Sequence, residues 1–298
     1  MEDLYSLTFS EEFMQKWKFV LRKLYNYKFY EEFAVVPSLW GKKTYSYLPL
    51  LNYTDRTSRQ VSDLLVKLKK KDYQMRVLNP DCKEFQDFDT VTMRIDLQKK
   101  DIEELFRTVV SKRNRRYIRQ LNEERTVVKK GSSAELIQDF YDIFAAVMHR
   151  HGTPVFSRRL FELLSQNLET TIYVLYDNNI PQSGAVILDD KQISWIPWSG
   201  TRSQYLDNRP GLFVYWETIK DAFFKHKLIY DFGRSSYGGG TYIFKTRWSA
   251  VPVKIDVIQP RPGNVYKKYS YASQAWKKIP PGFARWLGPK VCKYLSDL

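Results

Sequence analysis

Residues 231–248, DFGRSSYGGGTYIFKTRW, gather an acid, three cations and a run of glycines in one short stretch. Such a set can bind phosphate or polarise a carbonyl. Arg234 follows Gly233 at a predicted strand end, where a guanidinium suits an anion or pairs with an acid such as Asp231. Asp231 would orient Arg234 or Lys245, or cap the turn, and the structural role is favoured. Gly238, Gly239 and Gly240 form a tight loop, either a hairpin turn or a place where backbone approaches a ligand. Read as a strand, the segment turns Tyr242, Phe244 and Thr246 one way and Ile243, Lys245 and Arg247 the other.

Two phosphate chemistries are excluded. Asp-Phe-Gly begins a kinase activation segment, but none of His149, His151 and His226 is followed by Arg-Asp, and no Gly-rich loop opens the chain. The glycine run is followed by Thr241 and Tyr242 rather than Gly-Lys-Ser/Thr, so it is no P-loop. The histidines have no partner at ligand spacing, and no metal is expected.

A second cationic set lies upstream. Lys112, Arg115, Arg116 and Arg119 fall at i, i+3, i+4 and i+7, so they share one helical face, with little acid until Glu123 and Glu124. That face is either solvated or meets nucleic acid or pyrophosphate. Trp198 and Tyr205 stand in ISWIPWSGTRSQY, where they would line an acceptor pocket or pack in the core.

The elements that must position these residues alternate between helix and strand. Helices are expected over 9–24, 58–71, 101–124, 132–152, 157–168 and 209–227. Ser10 should cap the first, and Ser and Gly152 should bound the fourth. Strands are expected around 29–37, 42–51, 73–80, 91–97, 126–130, 170–177, 182–190, 191–200 and 228–233, with 242–248 and 251–259 as a closing pair. In VTMRIDL, Val91, Met93, Ile95 and Leu97 share one face. The order of elements repeats, which implies an α/β (α+β) protein of two similar units with mostly antiparallel or mixed sheets: 1–98, completed by 259–298, and 99–258.

Composition bounds the partners. The apolar fraction of 43% and charged fraction of 27% fit a folded domain. The net charge of +15 points to a phosphate-bearing partner: nucleic acid, a nucleotide-linked substrate or an anionic membrane. Cys82 and Cys292 give neither a disulfide framework nor a metal spacing, and the acidic, polar amino terminus is no secretory signal, so a reduced, cytoplasmic setting is expected. Residues 259–298 hold eight Lys/Arg and one acid, with Phe283, Trp286 and Leu287 among them. Such a tail either lies on an anionic membrane or docks on the first unit.

Four ordered pieces, KRNRRYIRQLNEERTVV, FYDIFAAVMHRHGTPVFSRRLFELL, LFVYWETIKDAFFKHKLIYDFGRS and GGGTYIFKTRWSA, resemble the Fem-type peptidyltransferases, the FemAB/FemX family. The likeness is greater still to the FemAB-related proteins of exopolysaccharide and surface-glycan systems, which share an aromatic, lysine-rich segment like AWKKIPPGFARWLG. The resemblance implies two tandem GNAT-like domains, whose central strands splay to admit an acyl donor and an amine. It implies an aminoacyl-tRNA donor, no cofactor, and an amine acceptor on a peptidoglycan precursor or surface glycan. Lys245 then becomes the cation near the reacting carbonyl. The sequence departs from the family in lacking heptads for a coiled-coil arm and in lacking the acetyl-CoA loop, keeping only Gly211 before its helix. Two alternatives remain open: an acyl-CoA-dependent N-acyltransferase acting on an amino sugar, and a non-catalytic RNA- or membrane-binding protein on the same fold.

Overall fold

The computed structural model describes residues 2–38, 41–121, 126–260 and 272–295. Glu123, Glu124, Asp297 and most of the Pro-Arg-Pro-Gly break lie outside them.

The chain opens with α1 (Glu2–Ser6) and α2 (Glu11–Tyr25), then β1 (Lys28–Tyr30), β2 (Phe33–Pro37), β3 (Lys43–Tyr47), α3 (Ser58–Lys67), β4 (Asp72–Asn79) and β5 (Thr90–Asp96). Next come α4 (Ile102–Val109), α5 (Lys112–Leu121), β6 (Thr126–Gly131), α6 (Ala134–His151), α7 (Arg158–Asn167), β7 (Glu169–Asp177), β8 (Ile180–Asp189) and β9 (Ile193–Thr201). A 3-10 turn (Ser203–Tyr205) leads into α8 (Pro210–Phe224), β10 (Ile229–Ser236), α9 (Gly240–Thr246), β11 (Val251–Ile258) and α10 (Pro281–Cys292). The expected caps are present. Ser10 accepts from the Phe13 N–H and Ser133 from the Leu136 N–H, and Gly152 ends α6 in the left-handed region.

The eleven strands form one sheet in the order β1-β2-β3-β4-β11-β5-β10-β9-β8-β7-β6. All pairings are antiparallel except β3–β4 and β9–β10, so the mixed, mostly antiparallel α/β class holds. Each face of the sheet carries its own core. Phe13, Trp17, Phe140, Phe161 and Trp195 pack on one side with α2, α6 and α7. The row Val91, Met93, Ile95 and Leu97 packs on the other, against Leu105, Phe106, Ile219 and Trp248. Neighbours such as Ile172 and Tyr173 divide between the two clusters, as the strand period requires.

Both parallel pairs share an irregularity. β3 and β4 are in register only over Thr44–Ser46 with Asp72–Gln74. The gap beyond is closed by Thr54, whose N–H donates to the Arg76 carbonyl (3.1 Å) and whose carbonyl accepts from the Leu78 N–H (3.1 Å). β9 and β10 are in register only over Ile193–Trp195 with Ile229–Asp231, and then part.

Three expectations are corrected. The single strand expected over 29–37 is a hairpin, with β1 and β2 antiparallel across a turn at Glu31 and Glu32. The predicted helix over 101–124 is broken at Val110, whose backbone is extended. Two β-branched residues in succession weaken the helix there. Ser111 then starts α5 by accepting from the Asn114 N–H, while Arg115 Nη1 donates to the Arg107 and Val110 carbonyls at the end of α4 (2.8 and 2.6 Å). The predicted strand over 242–248 is largely helix α9. A strand there would find no edge, because β10 is already paired with β5 and β9, and β11 fills the space between β4 and β5. Helical spacing also lets Lys245 and Trp248, which a strand would turn apart, both be buried.

Candidate active site

The parting of β9 and β10 makes the cleft. On β9, the pairing with β8 slips, so that Ile196 and Pro197 form a bulge opposite Ile187. On β10, the pairing with β5 slips between Asp231 and Arg234. Gly233 occupies that slip at φ +73°, and a Cβ there would lie 2.9 Å from the Asn52 side-chain amide and 3.2 Å from Trp195 Nε1. Only glycine fits both the conformation and the space. Asn52 sits at the apex. With its amide oxygen facing inward, it accepts from Trp195 Nε1 (2.8 Å) and the Arg234 N–H (3.2 Å).

Beside this apex lies a cavity of about 590 Å3, lined by Arg113 and Asn114 of α5, Thr201 of β9, Arg209, Gly211 and Tyr215 at the start of α8, and Phe244 and Arg247 around α9. Three arginines thus surround one helix N-terminus, a favourable place for an anion. Arg209 itself lies in the left-handed region, at φ +53°. The N–H groups of Tyr205, Leu206, Asn208 and Arg209 bond to carbonyls within that turn, and Pro210 has none to give. The three guanidinium groups and the start of α8, with Gly211 in the cavity lining, face the same space. Arg209 stacks on Tyr117 (4.3 Å to the ring centroid). The Arg113 hydrogen bond, followed by the Arg209 charge, lowers the Tyr117 phenol below its ordinary value, a sign of the local positive potential. Deeper in, Tyr215 Oη and Ser199 Oγ are 2.7 Å apart.

The residues singled out in 231–248 surround the apex without all opening into the cavity. Asp231 is fully buried. Its carboxylate accepts from Arg94 Nε (3.0 Å), the Tyr53 and Thr92 hydroxyls and the Gly233 N–H (2.7 Å). It fixes the strand bend from beneath. Arg234 projects outward, exposed, from the next turn of backbone. Lys245 is only 8% exposed, and its Nζ donates to the Gly233 and Arg234 carbonyls (2.9 and 3.0 Å). Those carbonyls turn towards α9 where the strands separate, so Lys245 holds the splay open.

Burial drives the Lys245 ammonium down to about 7, Asp231 partly opposing this and Arg234 adding to it. The unfolded chain keeps this proton to about pH 10.4, so between about pH 7 and pH 10 the unfolded state binds more protons. Stability should rise with pH across that window by an amount on the order of a few kcal/mol, relative to Lys245→Met, which lacks the group. Urea unfolding of both proteins at several pH values measures the difference. A difference that stays flat with pH would contradict the assignment.

The basic stripe converges in a separate surface depression. Lys112, Arg115, Arg116 and Arg119 are joined there by Arg107 of α4 and Gln120, around about 570 Å3. Within it Arg115 is committed to carbonyls, and Arg119 lies 5.7 Å from the Phe106 ring centroid. One helix, α5, thus separates this groove from the cleft. Trp198 and Tyr205 are not brought together on one wall: Trp198 packs edge-on against Phe156 and Phe161 (5.8 and 5.3 Å), and Tyr205 lies in the half-exposed turn before α8. Among the described residues no group of three or more His, Cys, Asp or Glu could hold a metal, and no helix is long and apolar enough to cross a membrane.

Arg247 stands in the 231–248 stretch beside Lys245, but Arg113, Asn114, Arg209 and Asn52 escape a reading by stripe and motif. Arg113 lies off the helical stripe, and Asn52 comes from a distant part of the chain. Arg209 alone carried a local signal, as the residue before a Pro-Gly helix start.

The profile of the Acetyltransferase (GNAT) domain family matches residues 84–246, more than half of the chain. No curated protein sequence matches it. Among solved structures, FemX is similar at a TM-score of 0.54 and 13% identity, over 83% of this chain and 86% of that one. The carboxyl-terminal domain of a putative lysylphosphatidylglycerol synthetase from Agrobacterium fabrum is similar at 0.56 and 9%, over 92% of each chain. L-PGS from Bacillus licheniformis is similar at 0.54 and 9%, over 89% of this chain and 97% of that one. With its splayed β9–β10 pair and the α8 N-terminus beside it, the chain belongs to the GNAT acetyltransferase-domain family and has a FemX-like fold.

Proposed function

We propose that this protein transfers an aminoacyl group from an aminoacyl-tRNA to an amine of a cell-envelope precursor or surface glycan. The observation that carries this reading is the arginine set Arg113, Arg209 and Arg247 around the cavity at the start of α8, which Thr201 at the end of β9 also lines. Three guanidinium groups carried on separate elements suit the spaced phosphodiesters of an RNA end. The groove of Lys112, Arg116 and Arg119 on the far side of α5 would meet further phosphates of the same strand. The likeness to FemX and to lysylphosphatidylglycerol synthetase domains supports aminoacyl over acetyl transfer.

In this reading the acceptor amine attacks the ester carbonyl carbon, the carbon–oxygen ester bond breaks, and the departing ribose oxygen takes up the proton that the amine gives up. The cleft contributes chiefly proximity and fixed charge. Amide groups of β9 beyond Trp195, no longer laddered to β10, face the developing oxyanion. Lys245 and Asp231 act as positioning residues for the bend at Gly233, and Arg234 meets an anionic part of a substrate.

The test is transfer of labelled amino acid from charged tRNA to envelope or glycan amines, read as protein-dependent, base-stable label. No such transfer, together with turnover of an acyl-CoA on an amino sugar, would overturn the aminoacyl reading in favour of a CoA-dependent N-acyltransferase. RNA binding without turnover of either donor would mark a non-catalytic protein.

A further inference from the structure

Helix α10 is fixed on the body of the protein by one face. Ala284, Gly288 and Cys292, four residues apart, are buried. A Cβ at Gly288 would lie 2.8 Å from the Val155 backbone, and Cys292 Sγ lies 3.3 Å from the Val155 carbonyl. Arg285 pairs with Asp142 and stacks on Tyr141 (4.8 Å). The orientation of the opposite face is therefore set.

That face presents two aromatic rings to solvent. Phe283 is 51% and Trp286 56% exposed, with ring centroids 5.4 Å apart, and Lys290 Nζ lies 3.3 Å from the Trp286 centroid. Lys277 and Lys278 stand exposed just before the helix. Residues 272–295 contain five Lys/Arg and neither Asp nor Glu, and of the five only Arg285 has an ion pair among the described residues. Exposed rings ringed by lysines, without acid, fit the headgroup layer of an anionic bilayer, where rings bury shallowly and ammonium groups meet phosphate. A second copy of this chain, with its net charge of +15, offers no such complementarity.

The position of this face relates it to the cleft. His149, near the end of α6, contacts the Ile279 carbonyl (2.7 Å) just before α10. Its neighbour Arg150 donates to the Thr201 carbonyl (3.4 Å), and Thr201 lines the cavity. We infer that Phe283, Trp286 and the lysines around them dock the protein on an anionic lipid surface, bringing the rim of the β9–β10 cleft to the membrane interface. An acceptor amine carried on a lipid would be reached there without leaving the bilayer.

The test is co-sedimentation of the full chain with phosphatidylcholine vesicles, with and without about 30 mol% phosphatidylglycerol, at low and high salt. Wild type should bind the anionic vesicles at low salt and release at high salt. Phe283→Ser/Trp286→Ser should weaken partitioning about tenfold or more. Lys277→Glu/Lys278→Glu/Lys290→Glu should abolish it. All these side chains are exposed, and unchanged thermal unfolding would confirm that the variants fold. Failure of wild type to bind at low salt, or variants that bind as wild type does, would overturn the proposal. So would self-association of wild type, lost in the serine variant, without vesicle binding. No acyl donor is present, so the outcome is independent of the donor assignment.

Discussion

Replacing Asp231 by alanine is expected to destabilise the protein by about 3–5 kcal/mol, because it strands a buried charge. Asp231 and Arg94 both have fully buried side chains. Arg94 holds the amino-terminal segment through the Leu4 and Leu7 carbonyls (3.0 and 2.7 Å), reaches the Tyr53 hydroxyl, and meets Asp231 on β10 through Nε. Thr92 on β5 and Tyr53 bind the same carboxylate. Without it, the guanidinium keeps neutral partners but loses its counter-charge, and the bend at Gly233 loses its anchor. A cycle with Arg94→Met and Asp231→Leu separates these contributions. The double replacement removes both charges and should recover more than half of the loss, since apolar groups of similar volume often match a buried ion pair. Urea unfolding measures wild type, Asp231→Ala, the two single replacements and the double. A loss below about 1 kcal/mol for Asp231→Ala would contradict the role of this network.

The second large effect concerns donor recognition. Arg113→Gln, Arg209→Gln and Arg247→Gln should each lower kcat/KM about 10- to 100-fold, as expected for a charge-assisted hydrogen bond to phosphate. Arg113 and Arg247 are exposed and Arg209 half-exposed, so unfolding should change little. The groove variant Lys112→Gln/Arg116→Gln/Arg119→Gln should show a different signature. It should weaken donor binding and flatten its dependence on salt by about one unit of slope per lost phosphate contact. Arginine variants that retain full kcat/KM would contradict the placement of the donor.

How much of this the sequence reveals follows from which interactions are local. The Ser10 and Ser133 caps, the Gly152 stop and the face of Val91, Met93, Ile95 and Leu97 are set within a few residues, and each is present. The stripe Lys112, Arg115, Arg116 and Arg119 converges because helical spacing is local too, although Arg115 is drawn into capping α4. The conformation of 242–248 is not local. It turns on the occupied edges of β10, which no property of Tyr-Ile-Phe-Lys reports. For the same reason Lys245 is found on the Gly233 and Arg234 carbonyls, and Asn52 reaches the cleft apex from far along the chain. The filling of the β3–β4 gap by Thr54, against the open β9–β10 pair, likewise depends on the path of a loop.

The donor is decided by equilibrium binding of three probes to wild type and to Arg209→Gln/Arg247→Gln: charged tRNA, the same tRNA deacylated, and acetyl-CoA. Each is measured at two salt concentrations. Wild type should bind charged tRNA more tightly than deacylated tRNA, the affinity should fall steeply with salt, and the double variant should lose most of it. Binding of acetyl-CoA with no preference for charged tRNA would contradict the aminoacyl reading.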